Sequence, residues 1–140
     1  MIATATKSIA IDRAPADVFA FVADGATWPR WAIHNVRAIQ PGADGDWLME
    51  TPRGPGRLRL KPNAAFGILD HEFIDAQEGR WEVPARIVAA GGGAVFMLTL
   101  VKPPGMTEQG FEAGMLLLDE ELATLKQLLE AQLGHRSDDE

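Results

Sequence analysis

The sequence contains neither cysteine nor tyrosine. Without cysteine there can be no disulfide, no thiolate nucleophile and no cysteine metal site, so a reducing compartment is compatible with the chain. Without tyrosine, the phenolic acid that many lyases use is missing as well. The candidates for chemistry that remain are the three histidines and the carboxylates.

Long apolar runs and a basic face are also missing. No stretch of about 18 consecutive apolar residues occurs, which argues against a spanning helix, and the first residues do not resemble a signal peptide. The net charge is -7 and the pI is about 4.9, whereas a phosphate-backbone binder needs a basic face. We therefore expect a cytoplasmic protein with no membrane span and no nucleic-acid partner.

What the chain does contain is enough apolar sequence for one core. It has 140 residues, of which 46% are hydrophobic, and this suits one ordinary domain but not two. We expect a single domain over residues 1–133. The polar, acidic residues 134–140 are predicted to be a disordered tail.

The hydrophobic pattern predicts strands, two short helices and a meander. Alternation from Thr4 to Ile11 predicts a first strand. A short helix beginning at Pro15 and a second around Trp28 to Trp31 are predicted next. Beyond His34 the strand period, with turn residues about every eight to twelve positions, indicates an antiparallel meander. Its predicted strands lie near residues 34–40, 46–52, 56–62, 66–75, 80–90 and 93–102.

A long helix is predicted after Pro103-Pro104-Gly105, running to about Leu133. Its apolar residues recur at steps of four and three and form one stripe, which comprises Phe111, Met115, Leu118, Leu122, Leu125 and Leu129. We expect this stripe to pack on the sheet of its own domain, with a coiled-coil seam to another chain as the alternative. The predicted fold class is therefore α+β: a curved antiparallel sheet of about seven strands wrapped around a long C-terminal helix, with two short helices after the first strand.

Two phrases of the sequence carry a family resemblance. They are the strand-to-helix segment Ile9 to Phe19 and the segment Trp28-Pro29-Arg30-Trp31. With the order of the elements, they make nearly the whole chain resemble the START-like helix-grip superfamily, also called SRPBCC or polyketide cyclase/dehydrase-like. The resemblance implies a cavity between sheet and helix for a lipid, sterol, polyketide or other apolar molecule, but fold does not determine function.

His71 is the most informative histidine. Along its predicted strand, alternation places His71 on one face with Leu69 and Phe73 and places Asp70 and Glu72 on the other. On a concave apolar face, an imidazole is able to bond a ligand or to act as a general acid or base. A core histidine bonded to a backbone carbonyl is the alternative. His71 is thus a catalytic candidate and not an assignment.

The predicted cavity would be lined by residues of the concave face, the second short helix and the long helix. These candidate ligand-binding residues are Trp28, Trp31, His34, Leu69, His71, Phe73, Trp81, Val83, Met115 and Leu118. We predict no cofactor and no metal, because the histidines lack metal-ligand spacing and no phosphate-binding glycine loop is present. The short helices and the end of the long helix are expected to gate the cavity.

Two outer surfaces are also predicted. Arg57, Arg59 and Lys61 alternate with leucines as a basic outer stripe, for which cross-strand charge pairs are the ordinary explanation and an anionic headgroup the alternative. The last strand, from Ala94 to Val101, is apolar on both sides. It is therefore covered on both faces or offers a homodimer surface.

Three functions remain open at this level. We favour non-catalytic binding of a small hydrophobic or amphipathic ligand between the sheet and the C-terminal helix, since it needs only the inferred cavity. The first alternative is a polyketide cyclase- or dehydratase-like enzyme that uses His71 as its acid or base. The second alternative is a protein-interaction module.

Overall fold

The structure is a computed structural model that describes the backbone of residues 3–139 and the side chains of residues 3–131. In this part of the chain one antiparallel sheet has the strand order β1-β8-β7-β5-β4-β3-β2, with β6 paired to β5. The strands are β1 Thr4–Ile11, β2 Ala38–Pro41, β3 Trp47–Thr51, β4 Gly54–Asn63, β5 Ile68–Asp75, β6 Arg80–Val83, β7 Ala85–Ala90 and β8 Gly93–Val101. The helices are α1 Pro15–Ala23, α2 Trp28–Trp31 and α3 Glu108–Asp139. The predicted α+β helix-grip arrangement is confirmed.

One face of the sheet is apolar and packs against the helices. Leu58, Phe73 and Trp81 are direct partners in adjacent strands, so their side chains point to the same face. Arg59, Glu72 and Glu82 form the next row and point to the opposite face. The predicted facing of β5 is therefore confirmed.

The apolar stripe of α3 covers the concave face. All six of its predicted residues are at most 9% exposed, and Leu125 and Leu129 are 0% and 1% exposed. Burying a leucine side chain contributes about 1.5–3 kcal/mol, so the stripe is a major source of stability. The helix packs on its own sheet, as the sequence predicts.

The two short helices close one end of this core. Pro15 occupies the first turn of α1, where its missing N–H costs no hydrogen bond, and Val18 and Val22 are buried beneath it. The Asp24 carboxylate accepts a bond from the Ala26 N–H and begins a single 3-10 turn that leads into α2. The Trp28 Nε1–H then donates to the Val22 carbonyl over 2.9 Å, which locks α2 onto α1.

Pro84 divides the predicted strand 80–90 in two. A proline has no N–H to donate, and here the chain passes from pairing with β5 to pairing with β8. The neighbouring groups are still bonded, because the Ala85 N–H donates to Asp70 Oδ1 over 2.9 Å and the Pro84 carbonyl accepts from the Thr99 N–H over 3.0 Å. The single strand predicted here is therefore wrong.

The ends of two other elements differ from the prediction. The strand predicted from residue 34 begins at Ala38, because residues just before it form a turn bonded to Glu121 of α3. The backbone of α3 is helical to Asp139 and not only to Leu133. The side chains from residue 132 and all of Glu140 lie outside the described residues, so the disordered tail stays a prediction.

Candidate functional site

Two tryptophans of α2 project into the space between the sheet and α3. Trp28 and Trp31 are each 2% exposed, and their ring centroids are 4.8 Å apart. The Trp28 ring meets His71 edge-on at 5.1 Å, and His71 meets Phe73 in the same way at 5.5 Å. Phe96 of β8 completes this aromatic core with an edge contact to Trp31 at 6.3 Å. The residues predicted to wall a cavity are thus packed against one another.

Burial keeps His71 neutral. Its Nδ1 lies 2.9 Å from the Leu69 carbonyl oxygen, so Nδ1 carries the proton and donates it, and Nε2 is left as an acceptor. Burial of the ring lowers the pKa of His71 to about 4, against the weaker opposite effects of the Leu69 bond and the Asp70 charge. A general acid or base works best when its pKa lies near the working pH. The geometry matches a core histidine bonded to a backbone carbonyl.

Most of the other predicted residues join this core. Leu69, Val83, Met115 and Leu118 belong to the buried cluster, and Phe73 and Trp81 pack against it. His34 is the exception: it lies in the turn before β2, with Nε2 2.6 Å from the carboxylate of Glu120. The predicted site is therefore one contiguous core with His34 outside it.

Trp31 leaves one polar atom unsatisfied. Its Nε1–H is buried and has no hydrogen-bond partner among the described residues. Buried donors are nearly always paired, and an unpaired one costs about 1–3 kcal/mol. The aromatic core therefore holds a donor for an oxygen atom of a buried water or of a ligand.

An open groove lies between the edge strand β1 and the N-terminal part of α3. We call it the β1–α3 groove, and its volume is about 640 Å³. It is lined by Ala3, Thr4, Ala5, Lys7, Lys102, Glu108, Phe111, Glu112, Met115 and Leu116. Phe111 and Met115 also belong to the buried cluster, whereas Leu116 is 67% exposed. Phe111 and Met115 therefore form the boundary between the groove and the core.

The rim of this groove carries charges of both signs. Lys7 lies 3.2 Å from the carboxylate of Asp119, which largely neutralises it. Lys102 donates from Nζ to the Met106 carbonyl over 2.8 Å, and no carboxylate among the described residues lies within salt-bridge distance of it. Glu108 and Glu112 line the side formed by α3. The groove thus combines an apolar floor with a polar rim.

Sequence reasoning found one residue of this groove, Met115. It missed Leu116 because a single leucine beside the apolar stripe has no distinguishing pattern. It missed the wall formed by β1 because Thr4 and Leu116 are far apart in the chain. The predicted gate at α2 is not where this groove opens, since Trp28 to Ala32 contribute nothing to its lining.

The basic stripe of β4 is neutralised on the outer face of the sheet. The buried carboxylates of Asp46 and Glu72 are 5% and 2% exposed. Arg59 bonds both of them, from Nε to Asp46 over 2.9 Å and from Nη1 to Glu72 over 3.2 Å. The hydrogen bond from Arg59 is the main cause that lowers the pKa of Asp46, against the desolvation that raises it. Arg57 and Lys61 have carboxylate partners too. The stripe is paired as predicted, although Asp46 was not foreseen.

No group of three or more metal-ligating side chains occurs in the part of the chain that the structure describes. In the same part, no helix is long and apolar enough to cross a membrane.

The fold, by contrast with the sequence, has many counterparts among known proteins. No protein-family model matches the chain, and a search of curated proteins finds no match. XoxI from Bacillus cereus superposes with a TM-score of 0.73 at 14% identity, over 91% of this chain and 95% of that one. A START superfamily protein from Mycobacterium smegmatis gives 0.70 at 14% identity, over 92% and 98%. The Aha1 dimer from Colwellia psychrerythraea gives 0.70 at 12% identity, over 91% and 96%. The chain therefore has the START-like helix-grip fold.

Proposed function

We propose that this START-like helix-grip domain binds a small hydrophobic or amphipathic molecule and does so without catalysing a reaction. The observation that carries the proposal is the β1–α3 groove, whose volume of about 640 Å³ is that of a small-molecule site. Its floor is apolar, and the exposed Leu116 side chain is available to cover a ligand. Removing such apolar surface from water is favourable by about 25 cal/mol per Å².

The groove also gives a bound ligand contact with the core. Phe111 and Met115 line the groove with one side and pack in the buried cluster with the other. Met115 has an unbranched, flexible side chain, so a change of its rotamer would deepen the groove at a small cost in free energy. A ligand oxygen that reached the aromatic core would satisfy the Trp31 Nε1–H.

The enzyme alternative has less support. His71 is the candidate acid or base, but it is 4% exposed and its pKa is lowered to about 4. Turnover that vanished in His71→Ala would nevertheless favour it. The interaction-module alternative rests on exposed leucines of α3 and predicts no response to small molecules.

Tryptophan fluorescence tests the binding proposal. Trp81 is half-buried and donates from Nε1 to the carbonyl of Val101, next to Lys102 of the groove. We expect saturable quenching of the wild-type protein by members of a panel of fatty acids, sterols and aromatic polyketide-like compounds. Trp81→Phe should lose most of this signal, since Trp28 and Trp31 are buried farther inside and Trp47 lies on β3, at the other side of the sheet from β1.

Neighbouring leucines provide a matched pair of variants. Leu116 lines the groove and is 67% exposed, whereas Leu117 is 41% exposed and does not line it. Leu116→Glu should weaken ligand binding at least about tenfold, because a carboxylate enters an apolar site. Leu117→Glu should leave affinity unchanged. Equal affinity in both variants would place the ligand elsewhere, and no quenching by any compound would reject the proposal.

We also infer that the outer face of β8 is a surface for a second copy of the chain. Val95, Met97 and Thr99 are half-buried there, Thr6 and Ser8 of β1 continue this surface on one side, and Arg86 of β7 lies beside Met97 on the other. Strands β8 and β1 contribute no acidic side chain to this face, which suits self-association, since the net charge of -7 opposes contact through acidic surfaces. Sedimentation should show a dimer that Met97→Glu dissociates; a wild-type monomer at high concentration would reject it.

A further inference from the structure

A second groove lies between α1 and the free edge of β7, away from the β1–α3 groove. We call it the α1–β7 groove, and its volume is about 630 Å³. Its lining residues are Pro15, Ala16, Phe19, Ala64, Ala65, Phe66, Gly67, Arg86, Ile87, Val88 and Ala89. None of them lines the first groove, so a ligand here would be bound independently.

The groove exists because β7 continues beyond the position at which it pairs with β5. These two strands pair only at Ile68 and Arg86, and the Ile87 N–H then donates to the Gly67 carbonyl over 2.8 Å. β7 continues to Ala90 in register with β8 alone. Beyond Ile87, its edge therefore faces the groove and α1 instead of another strand.

An exposed aromatic ring forms one wall. Phe66 ends a 3-10 turn and is 67% exposed, although exposing a phenylalanine ring forgoes the gain from its burial. The turn is closely specified: Gly67 has a φ of 66°, and a Cβ there would collide with the carbonyl oxygen of Ile87. Phe19 of α1, which is half-buried, lies on the other wall. Phe66 and Phe19 thus both line the apolar α1–β7 groove.

Arg86 is the only charged residue among those described that line the α1–β7 groove. It is exposed, and among the described residues no carboxylate lies within 4.0 Å of its guanidinium group. Its one side-chain bond is a long one, from Nη2 to the Phe66 carbonyl at 3.4 Å. The arginines of β4 differ, because each is held by buried or neighbouring carboxylates. A guanidinium without a carboxylate partner binds an incoming carboxylate through two parallel hydrogen bonds.

We propose that the α1–β7 groove binds a monocarboxylate with an apolar tail. The carboxylate pairs with Arg86, and the tail lies between Phe19 and Phe66 along the edge of β7. The charge of the lining favours an anionic head group, since the described lining residues include one cation and no acidic residue. The β1–α3 groove carries two lysines and two glutamates and has no such preference.

The test compares three molecules with the same chain and different heads: octanoate, octanol and octylammonium. Each is titrated into the ¹⁵N-labelled protein, and binding is followed by amide chemical shifts. Octanoate should shift the amides of residues 64–67 and 87–89. Octanol should bind more weakly by about tenfold, as expected for the loss of a charge-assisted bond, and octylammonium should leave these amides unshifted.

Variants then assign the head group. Arg86→Gln should reduce octanoate affinity about tenfold, and Arg86→Lys should restore part of it. Phe66→Ala should weaken octanoate and octanol alike, because it removes apolar contact only. Arg37→Gln is the matched control: Arg37 is also exposed, lies outside both grooves, and its loss changes the net charge equally.

Three results would overturn the proposal. Equal affinity for octanoate and octanol would reject carboxylate recognition. Equal losses in Arg86→Gln and Arg37→Gln would show a general charge effect. Octanoate shifts confined to the β1–α3 groove, and abolished by Leu116→Glu, would reject this site while supporting the proposed function.

Discussion

Burial governs what single ionisable residues can do in this domain. His71 and Glu121 are 4% and 2% exposed, and neither has a full opposite charge in contact. Each is held instead by hydrogen bonds to neutral groups. Burial therefore favours the neutral form of each residue, which lowers the pKa of His71 and raises the pKa of Glu121.

His71 makes the folded protein sensitive to acid. Its pKa is about 6.5 in an unfolded chain and about 4 in the folded protein, so its contribution to stability is present above 6.5 and is lost as the pH falls toward 4. The loss should amount to about 3 kcal/mol at most. His71→Leu removes it, so acid should reduce the free energy of unfolding less in the variant. Urea unfolding at several pH values measures this difference, and parallel profiles would contradict it.

Glu121 should have the opposite pH dependence. Its carboxylate accepts from the His34 N–H, the Asn35 N–H and Asn35 Nδ2, yet desolvation outweighs these bonds and raises its pKa. Its contribution to stability is therefore complete below the ordinary glutamate pKa and is lost as the pH rises through the raised value. We expect Glu121→Gln to gain stability relative to wild type over that window. Glu120→Gln, on the exposed neighbour, is the control.

At the scale of elements, the turn between β4 and β5 depends on one glycine. Gly67 has a left-handed backbone and lies against the Ile87 carbonyl, which fixes the approach of β5 to β7. Gly45 also has a positive φ, of 80°, but nothing lies within 4 Å of its missing Cβ. A side chain at Gly45 would therefore meet backbone strain alone, whereas a side chain at Gly67 would meet both backbone strain and a steric clash.

Alanine at these two glycines should have unequal effects. Gly45→Ala should cost about 1 kcal/mol of unfolding free energy, from backbone strain alone. Gly67→Ala should cost at least about 3 kcal/mol, because strain and a clash with backbone add. Chemical denaturation measures both. Similar losses would mean that the turn relaxes freely.

The helix α3 depends on long-range contacts as well as on its stripe. Arg13 donates from Nη1 to the Leu129 carbonyl over 2.9 Å, and Lys126 donates from Nζ to the Ala10 carbonyl over 2.7 Å. Leu125 is fully buried between these ties. The helix is thus joined both to β1 and to the turn between β1 and α1.

Leu125→Ala should lower the free energy of unfolding by about 2–5 kcal/mol, since it leaves a cavity at a fully buried position. Leu117→Ala on the same helix should cost less than about 1 kcal/mol, because Leu117 is 41% exposed. Thermal or urea unfolding of both variants checks the ratio. A large loss in Leu117→Ala alone would indicate that this surface is covered.

At the scale of the whole molecule, α3 forms one side of the core. Without it, the concave face of the sheet and the aromatic core would be exposed to water. A chain that ends after Pro104 should therefore not fold, which circular dichroism and amide dispersion would show. A folded truncated product would contradict the packing of α3 on its own sheet.

Local periodicity was sufficient for most of the fold. Proline at the first turn of α1, the alternation of β5 and the stripe of α3 each describe neighbouring residues, and the backbone imposes their spacing. The same patterns correctly placed Trp28, His71 and Met115 in the interior between the sheet and α3. That these side chains line a ligand cavity stays a prediction, since it depends on how tightly they pack.

The grooves and the ion pairs depended on the three-dimensional arrangement. Thr4 and Leu116 face one groove, and Phe19 and Phe66 another, because elements distant in the chain stop short of contact. Asp46 pairs with Arg59 because the pairing of β3 with β4 brings the turn before β3 next to Arg59. A periodic pattern reports which face a side chain occupies, but the gap between two faces depends on helix and strand positions that no local spacing encodes.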